Sequence, residues 1–166
     1  MYWNEPPLPP DPFTDPMGAT PTEPIVRLEL VTLFTLDAVC DLQPAEEQTH
    51  YLPPVLHSIA QSKFQDADPY CIFARQELVG FLMLARFSGI HWLTRIMIDE
   101  RYQGNGYGTR ALELAIDIVK RQKNALALRT SFSRDNVLAE YLFFKAGFER
   151  LPDTDPAERL MELRWD

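Results

Sequence analysis

The chain has 166 residues, 46% of them hydrophobic and 24% charged, with a formal net charge of −8, enough for one domain with its own core and too little for two of ordinary size. The acidic balance, without a cluster of Lys and Arg, speaks against general nucleic-acid binding, and no apolar run approaches the ~18 residues of a membrane span. Cys40 and Cys71 have no CxxC or His-rich spacing around them and read as buried free thiols, and His50, His57 and His91 match no metal-ligand pattern, so no metal site is expected.

Residues 1–24 hold eight of the fourteen prolines, which rules out helix and ladder and predicts an arm outside the fold, with Tyr2, Trp3 and Phe13 as its apolar side chains. Its start lacks the basic and apolar regions of a secretory signal, so a cytoplasmic location is expected, and Met17 is an alternative start. Residues 25–166 read as the single domain. IVRLELVTL predicts a first strand; TLDAVCDL and PAEEQTHYLPPVLHSIAQSKF predict two helical pieces interrupted at Pro53-Pro54. DPYCIFARQELVGFLMLARF reads as a hairpin, with strands at 71–74 and 78–87 around a polar turn at 75–77, and HWLTRIMID as the next strand.

IMIDERYQGNGYG then joins a β-forming run to glycines at alternate positions, and ALELAIDIVK follows as a helix with Leu112, Ala115, Ile116 and Val119 on one face. A strand, tight loop and helix start aim free N–H groups and the positive helix end at one spot, which suits phosphate. ALALRTSFS is another strand, NVLAEYLFFKAGF a helix begun by Asn136 and stopped by Gly147, and ERLMELRW a final strand. A meander followed by strand–helix–strand–helix–strand is an α/β (α+β) plan with a mixed sheet.

Three phosphate loops compete for QGNGYG. A nucleotide P-loop needs GK followed by Ser or Thr, and no Lys follows these glycines. A dinucleotide fingerprint is met by Gly106, Gly108 and Ala111, but about a hundred residues precede it, and the next strand ends in Arg129 and Thr130 rather than an acid. The third is a resemblance. Gln103, Gly106 and Gly108 match the Q/R-x-x-G-x-G/A signature of the GNAT acetyltransferases, and Asn136, Ala139, Leu142, Gly147 and Phe148 match the second signature of that family. From residue 25 onward the order of elements also resembles the GNAT fold, and AEEQTHYLPPVLHSIAQSKF, VGFLML and TSFSRDN resemble its bacterial spermine/spermidine acetyltransferase branch.

The resemblance implies a mostly antiparallel sheet of six to seven strands, splayed at the cofactor, with about four helices. It implies acetyl-CoA as cosubstrate, held by the backbone of Ile96, Met97 and Ile98 and by Gln103, Gly104, Asn105, Gly106, Tyr107, Gly108, Thr109, Arg110, Asn136, Phe143 and Lys145. A Cβ at 104, 106 or 108 is expected to block the close approach or to disfavour φ > 0. Arg110 has a solvated helix residue as its plainer reading, and Asn136 an N-cap. The implied reaction is direct attack of a primary amine on the thioester, most simply a polyamine, which must first lose a proton from a group of pKa ~10.4. Glu46, Glu47, His91 and Glu100 are the candidate bases. Seven acids against Lys63 alone between Leu28 and Pro69 supply a field that attracts a cation, or simply a solvated face.

One departure stands out: Phe143 occupies the position where the family places a proton-donating tyrosine. Tyr141 lies about 200° around the helix from it, so slower turnover or a donor from elsewhere (water, Tyr102 or Tyr107) is expected. The other expectations are a degenerate domain that binds CoA or senses a ligand, a different acceptor (a protein Lys or N-terminus, an aminoglycoside), and room for a homodimer.

Overall fold

A computed structural model describes residues 25–165; the proline-rich stretch 1–24 lies outside the described residues. Seven strands form one sheet: β1 (Val26–Leu30), β2 (Ala67–Ala74), β3 (Glu77–Phe87), β4 (Ile90–Ile98), β5 (Ala127–Ser133), β6 (Glu149–Arg150) and β7 (Glu158–Arg164). Their order is β1-β2-β3-β4-β5-β7-β6, antiparallel throughout except where β4 meets β5. Four α-helices, α1 (Leu36–Cys40), α2 (Val55–Ser62), α3 (Tyr107–Lys120) and α4 (Val137–Lys145), are joined by 3₁₀ turns at Glu46–Tyr51 and Glu100–Tyr102. This is the mixed plan expected from the element order. Among the described residues no helix is long and apolar enough to cross a membrane.

Several elements differ from the sequence expectation. β1 ends at Leu30 because Thr32 and Thr35 close a turn, the Thr32 amide donating to Thr35 Oγ1 at 2.9 Å and the Thr35 amide to the Thr32 carbonyl at 3.1 Å. The two helical pieces are three, since Pro44 as well as Pro53-Pro54 interrupts the chain where a donor is missing. The hairpin strand β2 begins at Ala67, and its turn narrows to Arg75 and Gln76, with Arg75 at φ 55°. The two-residue β6 was not expected at all. Cys71 is buried as anticipated, but Cys40 is only half-buried; both are free.

Two apolar layers sandwich the sheet. Leu112, Ala115, Ile116 and Val119, the face expected of α3, are buried against Leu82, Leu93, Leu128, Phe143 and Phe148 on one side. Val39 of α1 with Val55 and Ile59 of α2 cover Cys71, Phe81, Met83 and Met97 on the other. Each fully buried Leu, Ile, Val, Met or Phe among them stabilises the fold by about 1.5–3 kcal/mol.

β4 changes layers part-way along. Leu93 faces the α3 layer and Met97 the α2 layer, although side chains four apart on a regular strand share a face. The register explains it: Leu84 pairs with Leu93 and Met83 with Arg95, leaving Thr94 as the extra residue of a β-bulge. Bulges bend a strand and sharpen its twist. β4 accordingly pairs with β5 only at His91↔Leu128 and Trp92↔Arg129, and beyond that the two strands part. The buried Thr130 hydroxyl donates to the Leu93 carbonyl at 3.0 Å and pins the apex of the wedge.

Candidate active site

The wedge opens onto two clefts that share Tyr51, Leu52, Ile96, Asn136, Ala139 and Phe143. The first, about 270 Å³, runs from Ile96, Met97 and Ile98 to the glycine loop, where Gln103, Gly104, Gly106, Tyr107, Gly108 and Thr109 line it. Gly104 (φ 80°) and Gly106 (φ 78°) are left-handed, which glycine alone adopts freely. Gly106 caps α3, whose first intrahelical donor is the Arg110 amide to the Gly106 carbonyl at 3.1 Å. The amides of Tyr107, Gly108 and Thr109 therefore precede the helical ladder at the positive end of a fourteen-residue helix. Gln103 turns its amide onto the Ile98 carbonyl at 2.9 Å, beside the part of β4 that β5 leaves unpaired.

The second cleft, about 510 Å³, runs from the shared residues toward the closed end of the wedge, where Trp92, Leu93 and Thr130 line it. The 3₁₀ turn Glu46–Tyr51 supplies His50 and Tyr51; β4 supplies Trp92, Thr94 and Arg95; β5 supplies Thr130, Ser131 and Ser133; β7 supplies Glu158. Two ties hold the turn's wall against the glycine loop. Gln48 and Gln103 pair side chain to side chain at 2.9 Å. The carboxylate of Asp99, 2% exposed, accepts from the amides of Gln43 and Arg101, both at 3.0 Å, and from Arg101 Nε at 2.8 Å. Burial alone would raise the Asp99 pKa; the Arg101 guanidinium and the two amides outweigh it and hold the group below the ordinary carboxylate value. The Glu100 amide completes the tie by donating to the Gln43 carbonyl at 2.8 Å.

A splayed parallel pair with a glycine-capped helix at its mouth agrees with the comparisons to known proteins. Residues 33–148 match the acetyltransferase (GNAT) family. The chain belongs to the GNAT acetyltransferases. The spermine/spermidine N(1)-acetyltransferase of Bacillus subtilis is 27% identical over 133 residues, 75% of this chain and 88% of that one. Among solved structures, the spermidine N-acetyltransferase of Vibrio cholerae, in complex with CoA and spermine, superposes with TM-score 0.67 at 16% identity, over 84% of this chain and 95% of its own. The aminoglycoside acetyltransferase AAC(6′)-Ib with coenzyme A superposes with TM-score 0.73 at 18% identity, over 84% and 94%. These structural likenesses establish the fold. As a GNAT enzyme the chain is an N-acetyltransferase with acetyl-CoA as cosubstrate, and the first cleft fits that molecule: free amides and left-handed glycines for phosphate, and an unpaired strand for an amide-bearing arm.

Within this GNAT frame the expected site residues fall into three groups. Ile96, Met97, Ile98, Gln103, Gly104, Gly106, Tyr107, Gly108, Thr109, Asn136 and Phe143 line the first cleft together. Asn105 folds back, its side chain donating to the Tyr102 carbonyl at 2.9 Å and stabilising the loop. Arg110 is exposed and ion-paired with Glu113 at 2.9 Å, and Lys145 is exposed with its ammonium 5.3 Å above the Tyr141 ring; neither lines the cleft. Asn136 caps α4, its Oδ1 accepting from the Ala139 amide at 3.1 Å, and lines both clefts as well. Of the two expectations for Gly108, the positive φ is not met and an added Cβ would meet only Ile98 Cγ1 at an ordinary 3.6 Å, which leaves the cofactor's close approach as the reason for a glycine there.

None of the four candidate bases lines either cleft. His91 sits near the far end of β4, roughly 15 Å of strand from Ile96, in a crevice with Asp66, Asp68 and Arg86. Burial and then Arg86 lower its pKa, against the opposing pull of Asp66. Glu46, Glu47 and Glu100 are exposed on their 3₁₀ turns. Phe143 is 2% exposed, its ring 5.5 Å from Phe132 and 5.2 Å from Phe148, so packing holds the place of the family's tyrosine. Tyr102 turns its hydroxyl to Glu77 at 3.3 Å, whereas Tyr51, donating to the Asp135 carbonyl at 3.2 Å, lies where the two clefts join.

Sequence reasoning missed Tyr51, His50, Gln48, Asp99 and Glu158. For Asp99 a signal existed, an acid immediately after the strand and before a turn, which is the position of a side-chain cap. A second omission is Gly80 on β3: a Cβ there would lie 2.3 Å from the Met97 carbonyl, so glycine lets β3 close on the strand that carries the site.

Proposed function

We propose that this enzyme acetylates a primary amine of a small polyamine, such as spermidine or spermine, by direct attack on the thioester, and that it does so in the cytoplasm. The observation that carries the reading is the junction of the two clefts across the β4–β5 wedge, walled on the acceptor side by the turn that presents Glu46 and Glu47 to solvent. These exposed acids belong to the acid-rich stretch and favour approach of a polycation. The 27% identity to a spermine/spermidine acetyltransferase supports the same acceptor.

The residues divide the work by position. Ile96 and Phe143 form an apolar floor at the junction, which keeps water away from the reacting carbonyl. Among the described residues neither cysteine lines these two clefts, which favours direct transfer over a cysteine acyl-enzyme. The acceptor's ammonium has to release a proton before the neutral amine can attack. His50, the imidazole that lines the acceptor cleft, takes the place of the four candidates that do not. With Phe143 unable to donate, the departing thiolate draws its proton from water or from Tyr51; a thiol pKa near ~8.5 makes that a tolerable leaving group.

Release of CoA thiol from acetyl-CoA, measured over spermidine, spermine, short diamines, lysine peptides and aminoglycosides, tests the reading. Saturable turnover strongest with polyamines is expected. A stronger response to another acceptor overturns the polyamine assignment. No turnover where acetyl-CoA binds would make the protein a ligand-binding module, the reading that Phe143 favours.

A further inference from the structure

Along its β5–β7 side the acceptor cleft is lined by Thr130, Ser131, Phe132 and Ser133 and by Glu158 at the start of β7. Leu128 and Phe132 pack in the α3 layer, so strand alternation turns Arg129, Ser131 and Ser133 the other way. Antiparallel pairing sets Glu162 opposite Arg129, Leu160 opposite Ser131 and Glu158 opposite Ser133, on that same face. This face therefore carries two carboxylates, one at each end, and they are treated differently. Glu162, 6% exposed, is clamped by Arg129 Nε at 2.6 Å and Arg164 Nη1 at 2.9 Å. Glu158 lines the cleft, and among the described residues no ion pair or side-chain hydrogen bond engages its carboxylate.

Its neighbours show that this is not for want of cations. Arg134 and Arg159 hold Asp153, and Arg150 and Arg159 hold Glu140, so the nearby arginines are committed to other acids. The cleft's own arginine, Arg95, is tied back to α2 and its own strand, with Nη2 donating to Gln61 Oε1 at 3.3 Å and Nη1 to the Thr94 carbonyl at 2.6 Å. Glu158 is the acid that the cleft leaves available. The Asn136 amide donates to the carbonyl of Ser133, the partner of Glu158, at 2.9 Å, which ties this end of the floor to the junction of the two clefts.

We propose that Glu158 is a specificity-determining residue that binds a second, non-reacting ammonium of the acceptor, so that the enzyme selects amines carrying at least two positive charges. The inference rests on the polyamine reading and deepens it. A monoamine uses the junction alone; a diamine or longer polyamine also reaches the carboxylate at the mouth. Because Glu158 is exposed, the preference is electrostatic and weakens as salt rises.

The test compares wild type, Glu158→Gln and Glu158→Lys against spermidine, a diamine and a monoamine of matched length. It uses both steady-state kinetics and calorimetric binding to the CoA-loaded protein. Glu158→Gln should raise KM and Kd for the multiply charged amines about ten-fold, with Glu158→Lys raising them further. The monoamine values, kcat and the KM for acetyl-CoA should stay as they were, and unchanged circular dichroism and melting temperature would show that the fold is intact. Equal losses for mono- and multiply charged amines, or no loss for either, overturn the role of Glu158. A wild type that binds and acetylates spermidine no better than the monoamine overturns the polyamine reading itself. Loss of selectivity in Glu158→Gln toward another polycation, such as an aminoglycoside, would uphold Glu158 while that reading fails.

Discussion

The two clefts that meet at Ile96 and Phe143 are made of different material. The cleft that fits acetyl-CoA takes more than half of its lining from one continuous stretch, 96–109, with an unpaired strand, two left-handed glycines and the first amides of α3. The acceptor side is mostly side chain, gathered from the Glu46–Tyr51 turn, β4, β5 and β7, up to about a hundred residues apart. A cosubstrate common to a whole family is well served by backbone groups, which persist when side chains change. An acceptor that differs between members calls for side chains, which can be exchanged singly without disturbing the loop.

Four substitutions probe that division. The largest effect is expected at the wall common to both sides: Phe143→Ala removes a buried ring that stacks on Phe132 and meets Phe148 edge-on and should lower the unfolding free energy by about 3–5 kcal/mol in denaturant titration. A loss below about 1 kcal/mol would show that the ring contributes little to the core.

Next is the tie between the sides. Asp99→Asn should lower stability by about 1–3 kcal/mol at neutral pH and raise the amine KM more than the acetyl-CoA KM, because Gln43 and the acceptor wall are released while the glycine loop remains. Since the folded pKa of Asp99 is depressed, its contribution is complete above the ordinary value of 3.8 and is lost as pH falls through the lower folded value. The stability curves of wild type and variant should therefore converge in acid. A gap that persists through that range would mean that the carboxylate charge is not what stabilises the tie.

The smallest effect lies within the glycine loop. Gly106→Ala should cost about 1–2 kcal/mol for its left-handed backbone, and Gly108→Ala should leave thermal unfolding unchanged. Calorimetry with acetyl-CoA then reads Gly108 cleanly, since lost affinity without lost stability reports the ligand's approach to that backbone. Unchanged affinity would leave Gly108 without a role in binding.

The same division decides what could be read from the sequence. The glycine loop, the buried face of α3 and the Asn136 cap are local patterns, visible because the residues that act together are neighbours in the chain. The acceptor floor depends on the bulge at Thr94 and on the register that sets Glu158 beside Ser133. No local pattern announces either. His91 and Glu100 were natural candidates because they flank the cofactor strand. Strand length carries His91 away, and Glu100 faces solvent while its backbone, not its carboxylate, joins the tie to Gln43. The three helical pieces in place of two follow from Pro44, a break that a periodicity reading passes over when the flanking segments are so short.

The bulge at Thr94 also bears on self-association. By parting β4 from β5 it leaves a bare strand edge in the middle of the sheet, the kind of edge that elsewhere recruits a strand from another molecule and seeds aggregation. Here the gap tapers to closure at Trp92 and Arg129, and Tyr51, Leu138 and Phe143 line it. A second polypeptide, with side chains alternating to both faces and about 4.8 Å needed on either flank, does not fit a taper. A thin, unbranched arm does, so by shape alone the seam excludes foreign strands.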